Sequence, residues 1–99
     1  MATGDRITAL NPMGFPPKVS PKALAPRLDT LAGKTVYFVD CRFDDSDLFL
    51  KQQQAWFAEH MPGVRTVLKP LSASYLRDDP PTWEEIKAKG HAAIVGVGH

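Results

Sequence analysis

The sequence predicts an α/β fold: half of a doubly wound (Rossmann-like) domain, with a three-stranded parallel sheet of order 2-1-3 behind an extended N-terminal arm. Three observations carry this. Three short runs (Thr35-Val36-Tyr37-Phe38-Val39-Asp40, Val64-Arg65-Thr66-Val67-Leu68 and Ala92-Ala93-Ile94-Val95-Gly96) are the strand candidates. The first is β-branched, aromatic and nearly continuous in hydrophobicity, as a strand buried on both faces reads. Two stretches of helical character separate the runs, and short links with right-handed crossovers then give the order 2-1-3, helices on the faces. Finally, five of the nine prolines lie in the first 26 residues, so the foldable part begins near residue 31.

Residues 1–30 form the arm. Pro12, Pro16, Pro17, Pro21 and Pro26 each fix φ and remove a backbone donor, so neither a helix nor a central strand can run through them. Ile7, Leu10, Met13, Phe15, Val19, Leu24 and Leu28 are too many apolar residues for a solvated tail. The arm is expected to lie on a surface, its own or a partner's, in preference to the alternative of a disordered leader. Residues 31–99 form the β-α-β-α-β half-domain. After the first strand, Asp44, Asp45, Ser46 and Asp47 supply cap candidates and first-turn acids. A helix follows from near Ser46 to about Met61. Phe49, Leu50, Trp56, Phe57 and Met61 share one broad face, with Gln53 and His60 inside it, and Pro62-Gly63 stops it. Pro70 ends the second strand. A loop over 70–79 leads to Pro80-Pro81-Thr82, which opens a short helix over 83–89. Its early Glu84 and Glu85 and late Lys87 and Lys89 suit the helix dipole. Gly90 terminates it before the third strand.

Composition narrows the function. Twelve basic against eleven acidic side chains leave a net charge of +1, which argues against a nucleic-acid partner. Cys41 is the only cysteine, which excludes an internal disulfide framework and a cysteine-rich zinc site of the chain's own. No apolar run reaches the roughly 20 residues of a membrane span. The N-terminus has no basic segment followed by an apolar core, so no signal peptide is expected and the expected location is cytoplasmic.

A three-stranded parallel sheet is a poor independent unit, because parallel sheets want both faces covered and an open edge invites pairing. The sequence ends at Gly96-Val97-Gly98-His99, where an α/β fold turns from strand into helix and where its ligands bind. The expectation is half of a domain completed by a companion polypeptide, whether from a split gene or from a precursor cut after His99, in a hetero-oligomer. In a 2-1-3 sheet the carboxyl ends of strands 1 and 3 meet. This gathers Asp40, Cys41 and Arg42 with Gly96, Gly98 and His99. His99 is the candidate general base or donor. Asp40 would orient it, contact substrate, or merely cap the turn. Cys41 is either a reactive or ligating thiol or a small buried apolar residue. Arg42 either holds a carboxylate or phosphate, or pairs with Asp44, Asp45 or Asp47. Gly96 and Gly98 shape the turn, while Tyr75 and Arg77 sit in a loop that can cover the site. His60 fits capping of helix carbonyls better than catalysis.

The stretch from Leu24-Ala25-Pro26-Arg27-Leu28-Asp29 through Gly33-Lys34-Thr35-Val36 resembles the start of the UGSC-type (seleno)protein family. Met61-Pro62-Gly63-Val64-Arg65-Thr66-Val67, Asp78-Asp79-Pro80 with Trp83, and Gly90-His91-Ala92-Ala93-Ile94-Val95-Gly96-Val97-Gly98 extend the likeness over residues 24–99. In that family the final Gly-Val-Gly precedes a Cys-or-selenocysteine, Gly, Ser, Cys segment. The resemblance therefore implies a nucleophile on the companion chain. At a strand-to-helix turn such a cysteine has a lowered pKa. The expected function is the small subunit of a heteromeric enzyme that cleaves a small organic substrate, by nucleophilic or redox chemistry, with that thiolate. Two alternatives stand beside it. One is a non-catalytic subunit that stabilises its partner. The other is a metal-dependent lyase or hydratase, the metal shared between His99 and partner cysteines.

Overall fold

The computed structural model describes residues 5–98. Its elements run β1 (Thr35–Asp40), α1 (Ser46–His60), β2 (Arg65–Pro70), α2 (Pro80–Lys89) and β3 (Ala92–Gly96). The sheet is parallel in the order β2-β1-β3, with Val36 opposite Thr66 on one side and Ala92 on the other. The predicted α/β class and strand order are therefore those of the molecule.

β1 is central and its alternation sets the two cores. Val36 and Phe38 face α1, where they meet Leu50, Val64 and Phe57. Tyr37, Val39 and Cys41 face the other way, against Leu71, Trp83 and Ile86. Phe38, Val39 and Leu50 are completely buried. The outer strands are less covered. Val95, on the α2 side of β3, is 58% exposed, because α2 packs over β1 and β2. At the amino ends of the strands, Gly33 adopts a φ of 73° that glycine takes without strain, and its N–H donates to the carbonyl of Gly63. The backbone N–H of Thr35 donates to His91 Nδ1 at 3.0 Å, which ties the start of β1 to that of β3.

Several local expectations need correction. The broad apolar face of α1 is narrower than its sequence suggests. Leu50 is buried, but Phe49 and Trp56 are 52% and 51% exposed. They lie about 100–120° round the helix from Leu50, on a flank that the sheet does not reach. α1 also lacks the side-chain cap its acids suggested: Asp45 occupies the cap position with φ 56° and makes no cap hydrogen bond. β2 runs two residues further than expected, through Lys69 into Pro70, because an outer strand tolerates a missing donor at its end. α2 begins at Pro80, since proline in the first turn costs no hydrogen bond.

Residues 5–30 are exposed and contain no helix or strand. The molecule measures 75 × 32 × 26 Å along its principal axes. No helix among the described residues is long and apolar enough to cross a membrane.

Candidate functional site

The carboxyl ends of β1 and β3 lie side by side, with Asp40 opposite Gly96, and the loop after β2 lies on their other flank, where residues 69–72 and 78–82 line a hollow. On the β3 side, the N–H of Cys41 donates to the carbonyl of Gly96 at 2.8 Å and continues the β1–β3 ladder by one residue. Ser46, the first residue of α1, is fully buried beneath this point. Its hydroxyl donates to the Gly96 carbonyl at 3.0 Å and accepts from the Val97 N–H at 2.8 Å. One side chain thus fixes the strand-to-turn junction after β3 to the start of α1. A methyl group added at Gly96 or Gly98 would meet nothing within 4 Å. Packing does not demand these glycines, and the space above them is open to a ligand.

Asp40 is 6% exposed. Its Oδ1 accepts from the Arg42 N–H at 2.7 Å, which stabilises Arg42 in the left-handed region at φ 62°. That backbone reversal sends the guanidinium over β2. Its Nη1 donates to the Ser72 carbonyl at 3.3 Å and lies 3.5 Å from that of Leu71. Arg42 therefore holds the loop after β2, and its recorded hydrogen bonds go to these carbonyls rather than to the acids before α1.

Asp79 provides a second clasp on that loop. Its buried carboxylate accepts from the Thr82 hydroxyl at 2.7 Å and from the Ser72 N–H at 2.9 Å. The Thr82 hydroxyl and the Ser72 amide, in that order, hold its pKa below the ordinary carboxylate value. Tyr75 leans edge-on against Phe43, ring centroids 6.4 Å apart, and Arg77 lies exposed beyond it. The structure thus brings Asp40, Cys41 and Gly96 together, with Gly98 two residues beyond Gly96. Arg42 reaches the loop after β2 that carries Tyr75 and the exposed Arg77. His99 lies outside the described residues.

Cys41 belongs to the core. It is 6% exposed and packs with Val39 and Leu71. Burial first, and the neighbouring Asp40 charge second, raise its thiol pKa. A thiol in that state is a poor nucleophile and a poor ligand. Among the described residues, no three of His, Cys, Asp and Glu gather closely enough to hold a metal ion. His60 does what its position suggests: its Nδ1 lies 3.0 Å from the Trp56 carbonyl, and its ring stacks on Trp56.

Two contributors escape a reading of the sequence. Ser46 looks like a helix cap, yet its hydroxyl serves β3, fifty residues away. Asp79 looks like a loop acid. The signal for Asp79 is its spacing to Thr82, three residues on, at the start of a helix. No local signal marks Ser46. Compared with known proteins, the chain matches no family model, no curated protein and no solved structure.

Proposed function

We propose that this chain is the small part of a heteromeric enzyme. It would shape the substrate crevice, and a companion polypeptide would supply a reactive cysteine thiolate that cleaves a bond in a small organic substrate. The observation that carries this reading is the open, glycine-lined junction between β1 and β3, held by Ser46, with the Asp40 carboxylate beside it. Such a switch point is where open α/β sheets bind ligands. Cys41, buried and protonated, is unsuited to be the nucleophile, so thiolate chemistry needs a second source. The likeness of residues 24–99 to UGSC-type proteins supports the same source. In this reading Asp40 positions substrate or orients His99, which follows Gly98 directly and handles the proton. Arg42 and Tyr75 line the β2 side. A companion would also add a strand to the open edge of β3.

The test has two parts. The isotopically labelled chain is titrated with small organic acids and thiol-reactive electrophiles while amide resonances are followed. Shifts confined to residues 40–43, 72–75 and 96–98 are expected. In the assembled complex, Asp40→Asn and His99→Ala should each lower turnover at least tenfold, about 1.4 kcal/mol of barrier, with assembly intact. Unchanged turnover and scattered shifts would leave the purely stabilising subunit as the correct reading.

A further inference from the structure

The arm and α1 each present a feature that the crevice does not use. In the arm, Asn11 begins a tight turn: its Oδ1 accepts from the Met13 N–H at 3.0 Å, and its carbonyl faces the Gly14 N–H at 3.4 Å. Gly14 takes a φ of 65°, which glycine adopts freely. The turn displays Leu10, Met13 and Phe15 at 92%, 82% and 101% exposure. Pro16 and Pro17 follow and stiffen the chain. Local hydrogen bonds and prolines therefore present an aromatic residue and its apolar neighbours with little freedom left to lose on binding.

On α1, Phe49, Gln53 and Trp56 line a groove of about 310 Å³ with Gln52 and Phe57. The groove lies on the flank away from β2, since Gln54, about 100° further round the helix, is the residue that bonds Thr66 of β2. Of its three aromatic side chains, Phe49 and Trp56 are half exposed. Gln53, one of its lining residues, has a buried Oε1 with no hydrogen-bond donor among the described residues. A buried acceptor in that state is costly, and a rotation of the amide into the groove, where a docked donor can reach it, recovers the cost.

We propose that the turn around Phe15 of one copy docks into the α1 groove of a second copy, and that the two arms are exchanged reciprocally. Three matches support it. The turn offers exposed apolar side chains to the groove's aromatic walls, and an extended arm offers backbone N–H groups to the Gln53 amide once it turns into the groove. Charge is complementary: residues 1–30 carry four basic and two acidic side chains, whereas residues 44–60 carry four acidic and one Lys. The arm also leaves the body beside His91 and Ala92, where residues 24–28 line a surface hollow. Its residues 5–30 are all exposed, so its apolar side chains are free to meet the groove of a neighbour. Two such contacts, each burying three apolar side chains against two aromatic ones, remove on the order of 1,000–1,500 Å² from water, in the range of a specific dimer.

Sedimentation of the chain at about 10–100 μM tests this. The expected mass is twice the 10.9 kDa of one chain. Phe15→Ser and Trp56→Glu, both at exposed positions, should each give monomers with unchanged circular dichroism. Mixing the two variants leaves one intact contact of about half the area, so association in the mixture should be much weaker than in the unaltered chain but stronger than in either variant alone. A monomeric unaltered chain would overturn the proposal, including the case in which the arm folds onto its own groove. So would a dimer that survives either substitution.

Discussion

Ser46→Ala isolates the junction on which the crevice depends. The serine is fully buried and its hydroxyl makes two hydrogen bonds, to the Gly96 carbonyl and from the Val97 N–H. The two losses are unequal. The Gly96 carbonyl keeps a second donor, the Cys41 N–H at 2.8 Å, so it stays satisfied. Among the described residues, the Val97 N–H bonds only Ser46. The bond is part-buried and water can reach the freed N–H, so its loss costs about 0.5–1.5 kcal/mol, a factor of about 2–13 in the folding equilibrium. A loss near 1 kcal/mol lowers the urea midpoint by about 0.5–1 M, at an unchanged slope. Hydrogen exchange adds the local readout: the Val97 amide, protected by Ser46, should exchange faster in the variant, while the amides of β1 and β2 change only with global stability. A midpoint within about 0.2 M of the unaltered chain, or a Val97 amide that exchanges slowly in both, would refute the role assigned to Ser46.

The remaining predictions concern titration. Asp79 has a folded pKa below its ordinary value of 3.8. It therefore contributes stability that is present above pH 3.8 and is lost as pH falls through the folded value. Asp79→Asn keeps an acceptor oxygen but removes the charge, so its thermal midpoint should fall less between pH 4 and 2; an identical pH profile would be contrary. Cys41 is raised above 9.0 and Tyr37 above 10.0, each mainly by burial. Their contribution is complete below those values and is lost as pH rises through the folded ones. Iodoacetamide at pH 8 should alkylate native Cys41 at least tenfold more slowly than the chain in urea, and equal rates would contradict its core position.

The legible part of the fold is the part set by local pattern. Unbroken apolar character marked β1, and turn chemistry at Pro62-Gly63 and Pro80-Pro81 bounded the helices. Right-handed crossovers then left one simple order for three strands. What the pattern could not carry was the division of an apolar surface between neighbours. Leu50 and Phe49 are adjacent and equally apolar, but only Leu50 points at the sheet, since two strands flanking β1 cannot cover the whole width of α1. The site divides the same way. The adjacency of Asp40 and Gly96 follows from topology alone, because they end neighbouring strands. Arg42 could not be assigned its partners in advance. Its direction depends on a left-handed backbone step taken because Asp40 accepts its N–H. Cys41 is inert for a reason that lies in packing: the α2 side of β1 closes over it with Leu71.

The two unfinished surfaces make different demands, and this bears on how they can be filled. The outer edge of β3 can take backbone partners in the plane of the sheet, from another strand. The α1 flank lies above that plane and can take apolar side chains, with one donor for Gln53 if its amide turns outward. A folded companion can satisfy the first and leave the second untouched. An extended arm studded with prolines cannot satisfy the first, because each proline removes a ladder donor, yet it suits the second. Closure of the crevice and association through the arm are therefore separable. The substitutions test this independence: Trp56→Glu should abolish self-association without moving the crevice amides, and Ser46→Ala should loosen the crevice without changing the mass of the dimer.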